Sequence, residues 1–355
     1  YKAASAEDSY TFGKSTDVAS QVYCGPFLVQ KLEKDSEIYL VRNKNYYKNT
    51  ETTIDSIKWV ADAGEDLVAL YNDTVAGTYA GISVSNETTR KLATDDGNFD
   101  KYAYISETTS TTYFGGLNLN RGTFALSSGA CPSPQTEQAK ISTHNAMQNI
   151  NFRRAILFAF NRQTQNAISR GELALTNLRN MYCSPDFVSL DAETKDEDGH
   201  TFAAGTTYGE LVQHFCDELD LGIKVADGQD GWYNPEKAAE CLKKAVEELG
   251  DTVSYPIQID VVYYSANDLN TAQAADFKKS VEENLGKDKV QVNLVEATTT
   301  DDFYACGYRA TNGEAGNYDM FWGSGWGPDY GDPKTYLDTF KGLGAGYMTK
   351  VIGLF

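Results

Sequence analysis

The sequence is poor in the residues from which most catalytic and metal-binding motifs are built. Histidine occurs three times in 355 residues, as His144, His200 and His214, and no His-Glu-x-x-His or related spacing joins them. A zinc-hydrolase helix is thereby excluded. None of the six cysteines (Cys24, Cys131, Cys183, Cys216, Cys241 and Cys306) lies in a Cys-x-x-Cys pair, which excludes a thiol-redox motif and a zinc knuckle. Their even number leaves two readings open: disulfides of an oxidising compartment, or buried free thiols. No nucleophile elbow occurs, since Gly323-Ser324-Gly325 lacks the flanking spacing, and no phosphate-cradling Gly-x-x-x-x-Gly-Lys is present. Carboxylate pairs of the glycosidase kind abound in so acidic a chain, and none can be singled out.

Basic charge is also scarce. Lys and Arg total 31 against 50 Asp and Glu, a net charge of −19. Such a surface repels phosphate backbones and anionic lipid, so neither nucleic acid nor direct docking on a membrane is expected. No apolar run approaches transmembrane length. An initiator Met and a signal peptide are missing as well. The chain opens on Tyr1-Lys2-Ala3-Ala4 and stops within Val351-Ile352-Gly353-Leu354-Phe355, ends that read as those of a piece cut from a longer protein.

What is there is ordinary in bulk and unusual in detail. Hydrophobic residues make up 41 % and charged residues 23 %, as in soluble globular proteins, and the length suffices for two cores. Aromatics reach 12 %, with 23 Tyr, and tyrosine suits both strands and wet binding surfaces. The elements alternate, which predicts α/β layers. Strands are expected at Phe27–Leu32, Glu37–Arg42 and Ile54–Val60, and a short helix over Glu65–Leu70. Thr111–Asn120 reads as a strand broken by Gly115-Gly116, and Ser127–Lys140 as a loop. Asn151 is placed as the cap of an apolar helix through Phe160, and Asn234-Pro235 as the start of a helix ending at Gly250. Asp191–His200 reads as a solvated acidic loop, its carboxylate spacing unlike that of a calcium-binding EF-hand. Then come strand Ile257–Tyr264, helix Thr271–Leu285, strand Val290–Val295, helix Thr299–Cys306 and strand Asp319–Trp322, an order that implies a largely parallel sheet.

That last strand runs into Gly323-Ser324-Gly325-Trp326-Gly327-Pro328-Asp329-Tyr330-Gly331-Asp332-Pro333. In open α/β sheets ligands bind beyond the carboxyl ends of strands. Glycines admit a ligand's backbone, Trp supplies a rigid wall, and one carboxylate supplies an orienting charge. Asp332-Pro333 reads as the start of a further helix.

The residues also carry a family likeness. Gly25-Pro26-Phe27, Arg42-Asn43-Lys44-Asn45-Tyr46-Tyr47, Leu117-Asn118-Leu119-Asn120-Arg121, Asn151-Phe152-Arg153-Arg154-Ala155, Asn177-Leu178-Arg179-Asn180, Ser184-Pro185-Asp186-Phe187-Val188, Tyr233-Asn234-Pro235-Glu236-Lys237-Ala238, Glu282–Asp288 and Trp326–Leu337 succeed one another at characteristic intervals. In these the chain resembles the solute-binding proteins that deliver peptides to ABC importers, and most of all the oligopeptide-binding lipoproteins of the Ami/Ali type. The resemblance implies an α/β, periplasmic-binding-protein-like two-lobed clamp of class II type, incomplete at both termini. Residues 1–114 would be the remainder of the first lobe and 115–355 the second, with a hinge crossing near 111–121. It further implies capture of oligopeptides, held extended by main-chain hydrogen bonds. A carboxylate at the position of Asp329 would pair with the peptide's α-amino group, and Trp326 would line the cleft. Gly325, Tyr330, Trp322, Tyr113 and Gly115 complete the expected ligand-binding set. Neither catalysis, a cofactor nor a metal is expected. The partners would be an oligopeptide and the permease subunits of an importer, the protein a monomer at the extracellular face of the membrane, held by a lipid anchor absent from this chain. A receptor of the same fold for signal peptides or non-peptide ligands, and a secreted carboxylate-pair hydrolase, are the alternatives.

Overall fold

Three short strands, none with a buried residue, build the first sheet. A computed structural model of the chain describes residues 17–61, 66–84, 86–104, 111–327, 337–340 and 346–354. Within it β1 (Phe27–Glu33), β2 (Glu37–Arg42) and β3 (Ser56–Val60) pair antiparallel in that order. The β1–β2 turn passes through Asp35 at φ 55°, a left-handed position that Asp tolerates. Next come α1 (Leu67–Val75), α2 (Glu87–Asp95) and α3 (Asn98–Tyr102). Asp66 caps α1 by accepting from the Ala69 amide, so that helix starts later and runs further than its sequence suggests. The chain divides into two compact units, residues 1–83 with 91–96, and residues 84–90 with 97–355.

The second unit holds β4 (Thr112–Leu117), α4 (Glu137–Gln148), α5 (Ile150–Ala159), α6 (Arg162–Arg170), β5 (Thr194–Lys195), β6 (Thr201–Phe202), α7 (Tyr208–Glu218), α8 (Pro235–Leu249), β7 (Ile257–Tyr264), α9 (Asp268–Leu285), β8 (Val290–Ala297), α10 (Thr300–Cys306) and β9 (Met320–Trp326). Its main sheet has the order β4-β9-β7-β8. β7 runs parallel to β8 and β9, while β4 is antiparallel to β9, so the sheet is mixed. β7 is buried along nearly its whole length, as its near-continuous apolar run requires of a central strand covered on both faces. Ile257, Ile259, Val261 and Tyr263 join a core with Phe152, Ile156, Leu242, Phe277, Val281 and Trp322. Val262 joins a second one with Val295, Cys306, Tyr318, Phe321, Met348 and Val351. Each such apolar side chain, fully withdrawn from water, contributes about 1.5–3 kcal/mol.

The caps decide where the helices begin. Asn234 and Pro235 start α8 as expected, and Gly250 ends it. The cap of α5, however, is Asn149, which accepts from the Phe152 amide. Asn151 lies inside the helix, and its amide reaches Glu248 instead. α4 replaces the end of the expected loop, capped by Thr136. All six cysteines are free thiols, Cys24 exposed and the other five buried.

One polar network ties the sheet together. Arg121, just beyond β4, donates through Nη1 to Asp260 Oδ2 and Asp319 Oδ2, at 2.8 Å each. Its Nη2 reaches Asn317 Oδ1 at 3.0 Å and its Nε the Thr123 carbonyl at 2.9 Å. Asp319 Oδ2 also accepts from Gln135 Nε2 (2.7 Å) and from the Asp260 amide (2.8 Å). Asp260 accepts from Ser133 Oγ and, at 2.9 Å, from Asn293 Nδ2. Arg121, Asp260 and Asp319 are 6 %, 0 % and 2 % exposed. Burial pushes the Asp319 carboxyl up to about 6, against the pull of Arg121 and with the push of Asp260.

Candidate ligand-binding site

The end of β9 is shaped by a bulge. Phe114 of β4 pairs with Ser324 and Gly116 with Phe321, so the span between them holds one residue on β4 and two on β9. Gly323 makes this possible at φ 76°, a conformation that strains any residue with a Cβ. The shift re-aims the side chains beyond it. Phe321 and Trp326 stand five residues apart, which would put them on opposite faces of a regular strand. Both instead join the same core cluster. The Trp326 ring stacks on Tyr347 at 5.3 Å between centroids.

Around this bulge aromatic residues gather. Tyr113 pairs with Gly325. A Cβ on Gly325 would come within 2.7 Å of the Tyr113 ring, so the glycine lets that ring lie across β9. Tyr113 is 78 % exposed. The Gly325 amide donates to Tyr308 Oη at 3.2 Å. On the β4 side Phe114 meets Tyr182 and Phe340 at 5.6 Å each, and those two stack at 4.2 Å. Gly115 lies beside Met320, whose thioether end occupies the space of a Cβ. Arg179 fastens the loop after α6 to β4, donating to Thr112 Oγ1 at 3.1 Å and to Asp227 Oδ2 at 3.2 Å. Asp227 Oδ1 is buried without a hydrogen-bond partner, and burial raises that carboxyl's pKa against the pull of Arg179.

Of the residues singled out by sequence, Trp326, Gly325, Tyr113 and Gly115 therefore lie along the paired strands β4 and β9, with Tyr113, Gly115 and Gly325 toward one face and Trp326, which pairs with Thr112, toward the other. Trp322 does not join them. It is 6 % exposed and packs against Phe160 and Phe277, on the opposite face from Phe321. Asp329 and Tyr330, with Asp332 and Pro333, lie outside the described residues. Tyr182, Tyr308, Phe340 and Tyr347 are not singled out by the sequence, because no motif links them to the Gly- and Trp-rich stretch, and Arg179 is visible only as part of the likeness-bearing segment Asn177–Asn180.

The model of the bacterial extracellular solute-binding proteins, family 5 Middle, matches residues 2–347. The chain belongs to this family. Its fold is accordingly the α/β fold of the family 5 solute-binding proteins, whose members bind solutes outside the cytoplasm and are not enzymes. Among curated relatives, an oligopeptide-binding protein AliB of Streptococcus pneumoniae is 34 % identical over 346 residues, covering 95 % of this chain and 49 % of that protein. An oligopeptide-binding protein AmiA of the same species is 32 % identical, over 93 % of this chain and 48 % of that protein. The chain thus spans about half the length of the curated relatives it matches. Among solved structures, a Listeria monocytogenes OppA bound to peptide superposes with a TM-score of 0.54 at 17 % identity, over 95 % of this chain and 52 % of that one. Among the described residues, no helix is long and apolar enough to cross a membrane.

Proposed function

We propose that this family 5 chain is part of an oligopeptide receptor that serves an ABC importer. The peptide lies extended in a cleft between two lobes and is held by main-chain hydrogen bonds. Its amino terminus pairs with Asp329, while Trp326 and Tyr113 wall the cleft beside Gly325, Gly115 and Tyr330. Trp322 backs this wall from the core. Residues 1–114 and 115–355 contribute to the two lobes, and the stretch near 111–121 serves as hinge. The parent protein is a monomer, anchored by lipid at the outer face of the membrane, that hands its peptide to the permease subunits.

The observation that carries this reading is the position of β4. It is an edge strand, and among the described residues no other strand pairs with its outer side. Edge strands offer a row of free N–H and C=O groups, which an extended peptide can complete regardless of its side chains. Tyr113 and Gly115 stand exposed on this strand, and Tyr113 offers an aromatic platform. The test is native mass spectrometry of the full-length parent as purified, followed by peptide identification in the released ligand. A set of co-purifying oligopeptides is the expected result. A single non-peptide ligand, or turnover of an added glycoside or peptide, would overturn the proposal.

A further inference from the structure

Two of the three histidines, distant in sequence from any recognised motif, are brought together well away from the β4–β9 edge. The short hairpin of β5 and β6 turns through Gly199 at φ 90°. At its tip Asp196 accepts from the His200 amide through Oδ1 and lies 2.8 Å from His200 Nδ1 through Oδ2. One carboxylate thus fixes both the backbone and the ring of His200. α7 begins nearby at a capping box between Thr207 and Glu210, and carries His214 and Glu218 one turn apart on one face. Glu218 Oε1 lies 3.0 Å from His200 Nε2 and 3.5 Å from His214 Nε2. The imidazole centroids are 4.9 Å apart at 70°. One ligand atom each from Asp196, His200 and His214 falls within 4.8 Å of the others, the one such grouping among the described residues.

The chemistry of this arrangement points to a cation. When Nδ1–H of His200 is donated to Asp196 and the ring is neutral, its Nε2 lone pair is free to bind a cation beside the Glu218 oxygen. The His214 Nε2 atom faces the same oxygen, and it is buried without a hydrogen-bond partner. The Glu218 oxygen faces one nitrogen of each imidazole, contacts that are favourable when a proton or a metal ion lies between oxygen and nitrogen. Donors around a four-coordinate zinc stand roughly 3.3 Å apart, given bonds of about 2.0–2.1 Å, close to the 3.0 and 3.5 Å between the Glu218 oxygen and the two imidazoles. We infer that His200 Nε2, His214 Nε2 and the Glu218 carboxylate form a binding site for a divalent transition-metal ion, with Asp196 as the carboxylate that orients His200. Two imidazoles with oxygen suit zinc and its first-row neighbours, and disfavour calcium and magnesium, which take all-oxygen shells. A fourth position is left for water. Bound there, the ion would clasp the β5–β6 hairpin to α7, since one nitrogen comes from each. Flanking rings, Phe202 at 5.0 Å and Phe215 at 5.3 Å from the His214 ring, shield one side.

The probe is zinc chloride added to the full chain after chelator treatment and desalting, with binding followed by titration calorimetry and metal analysis. One equivalent per chain is expected. Cobalt chloride in its place should give the intense visible bands of a four-coordinate site. His200→Ala and His214→Ala should each abolish the stoichiometric site, with circular dichroism unchanged, while His144→Ala leaves it intact. Asp196→Asn should weaken zinc by about 10–100-fold, as loss of an orienting carboxylate does. A wild-type chain that retains no zinc, or cobalt bands of octahedral intensity, would refute the site. So would zinc binding that survives in the His200→Ala, His214→Ala double variant. Any of these results would leave the four residues as an ion-pair cluster only.

Discussion

Among the described residues Arg121 is the one cation in direct contact with both Asp260 and Asp319, which makes Arg121→Met the most informative perturbation of the fold. The guanidinium serves both carboxylates through a single nitrogen at 2.8 Å, and adds bonds to Asn317 and to the Thr123 carbonyl. Methionine fills similar volume but leaves the two carboxylates facing each other without a counter-charge. Removing one partner of a buried ion pair typically costs about 3–5 kcal/mol, and this should be the loss at pH 8. The pH dependence discriminates further. The folded Asp319 carboxyl sits at about 6, above its ordinary value of 3.8, so the native state holds that proton more tightly than the unfolded chain. Its contribution is fully present below about pH 4 and is lost as pH rises through about 6, a difference of about 3 kcal/mol at 1.36 kcal/mol per pH unit. Arg121 pulls the Asp319 carboxyl down, so its removal pushes that value higher. The cost of the substitution should therefore shrink as pH falls. Urea unfolding followed by Trp fluorescence at pH 5 and pH 8 measures both quantities. A cost below about 1 kcal/mol at pH 8, or the same cost at both values, would show that the network is not held by this charge.

Asp319→Asn keeps an acceptor for the Asp260 amide and removes the titrating group, so the slope of stability between pH 4 and pH 6 should flatten, as read from urea midpoints across that range. In the native chain Cys24 alone should react rapidly with a maleimide, because the other five thiols are buried and the Cys183 thiol is pushed up to about 11; unfolding in urea should release all six, and intact-mass analysis counts them. In the full-length parent, Asp329→Ala should weaken peptide binding by roughly 2–5 kcal/mol, the range for losing one partner of a buried charge pair. Acetylating the peptide's amino terminus should then cost the wild type much and the variant little, which calorimetry with paired peptides would resolve; equal losses would assign the amino terminus elsewhere.

How much of the fold and site is legible in the sequence depends on how local each determinant is. α8 is legible to the residue because Asn234, Pro235 and Gly250 each act within one turn of the helix end. β7 is legible to the residue because eight consecutive residues suit a doubly covered strand. The start of α5 falls two residues from its expected place, since Asn149 and Asn151 are equally good caps in sequence; both side-chain amides reach Glu248, and only Asn149 also accepts from a helix amide, that of Phe152. α4 escapes the sequence reading because its buried face carries Ala139, Ser142, Thr143 and Ala146, small or polar residues, with Met147 as its one large apolar side chain. In the site, Trp326 and Gly325 are visible as a dense loop motif, yet this stretch is strand as far as Trp326. Trp322 groups with them by proximity in sequence, while the pleat sends its ring into the core. The partners of Arg121 lie 139 and 198 residues away, so no window along the chain contains the network.

The bulge at Gly323 gives the length of the segment 321–326 a meaning separate from its composition. One residue fewer between Phe321 and Trp326 would restore regular pairing and turn the indole to the other side of the sheet, away from Tyr347. One residue more would slide Tyr113 off the glycine that accommodates its ring. Among relatives of this chain, insertions and deletions in this short stretch should therefore change ligand preference more abruptly than substitutions do, because each one exchanges which side of the sheet every later side chain serves.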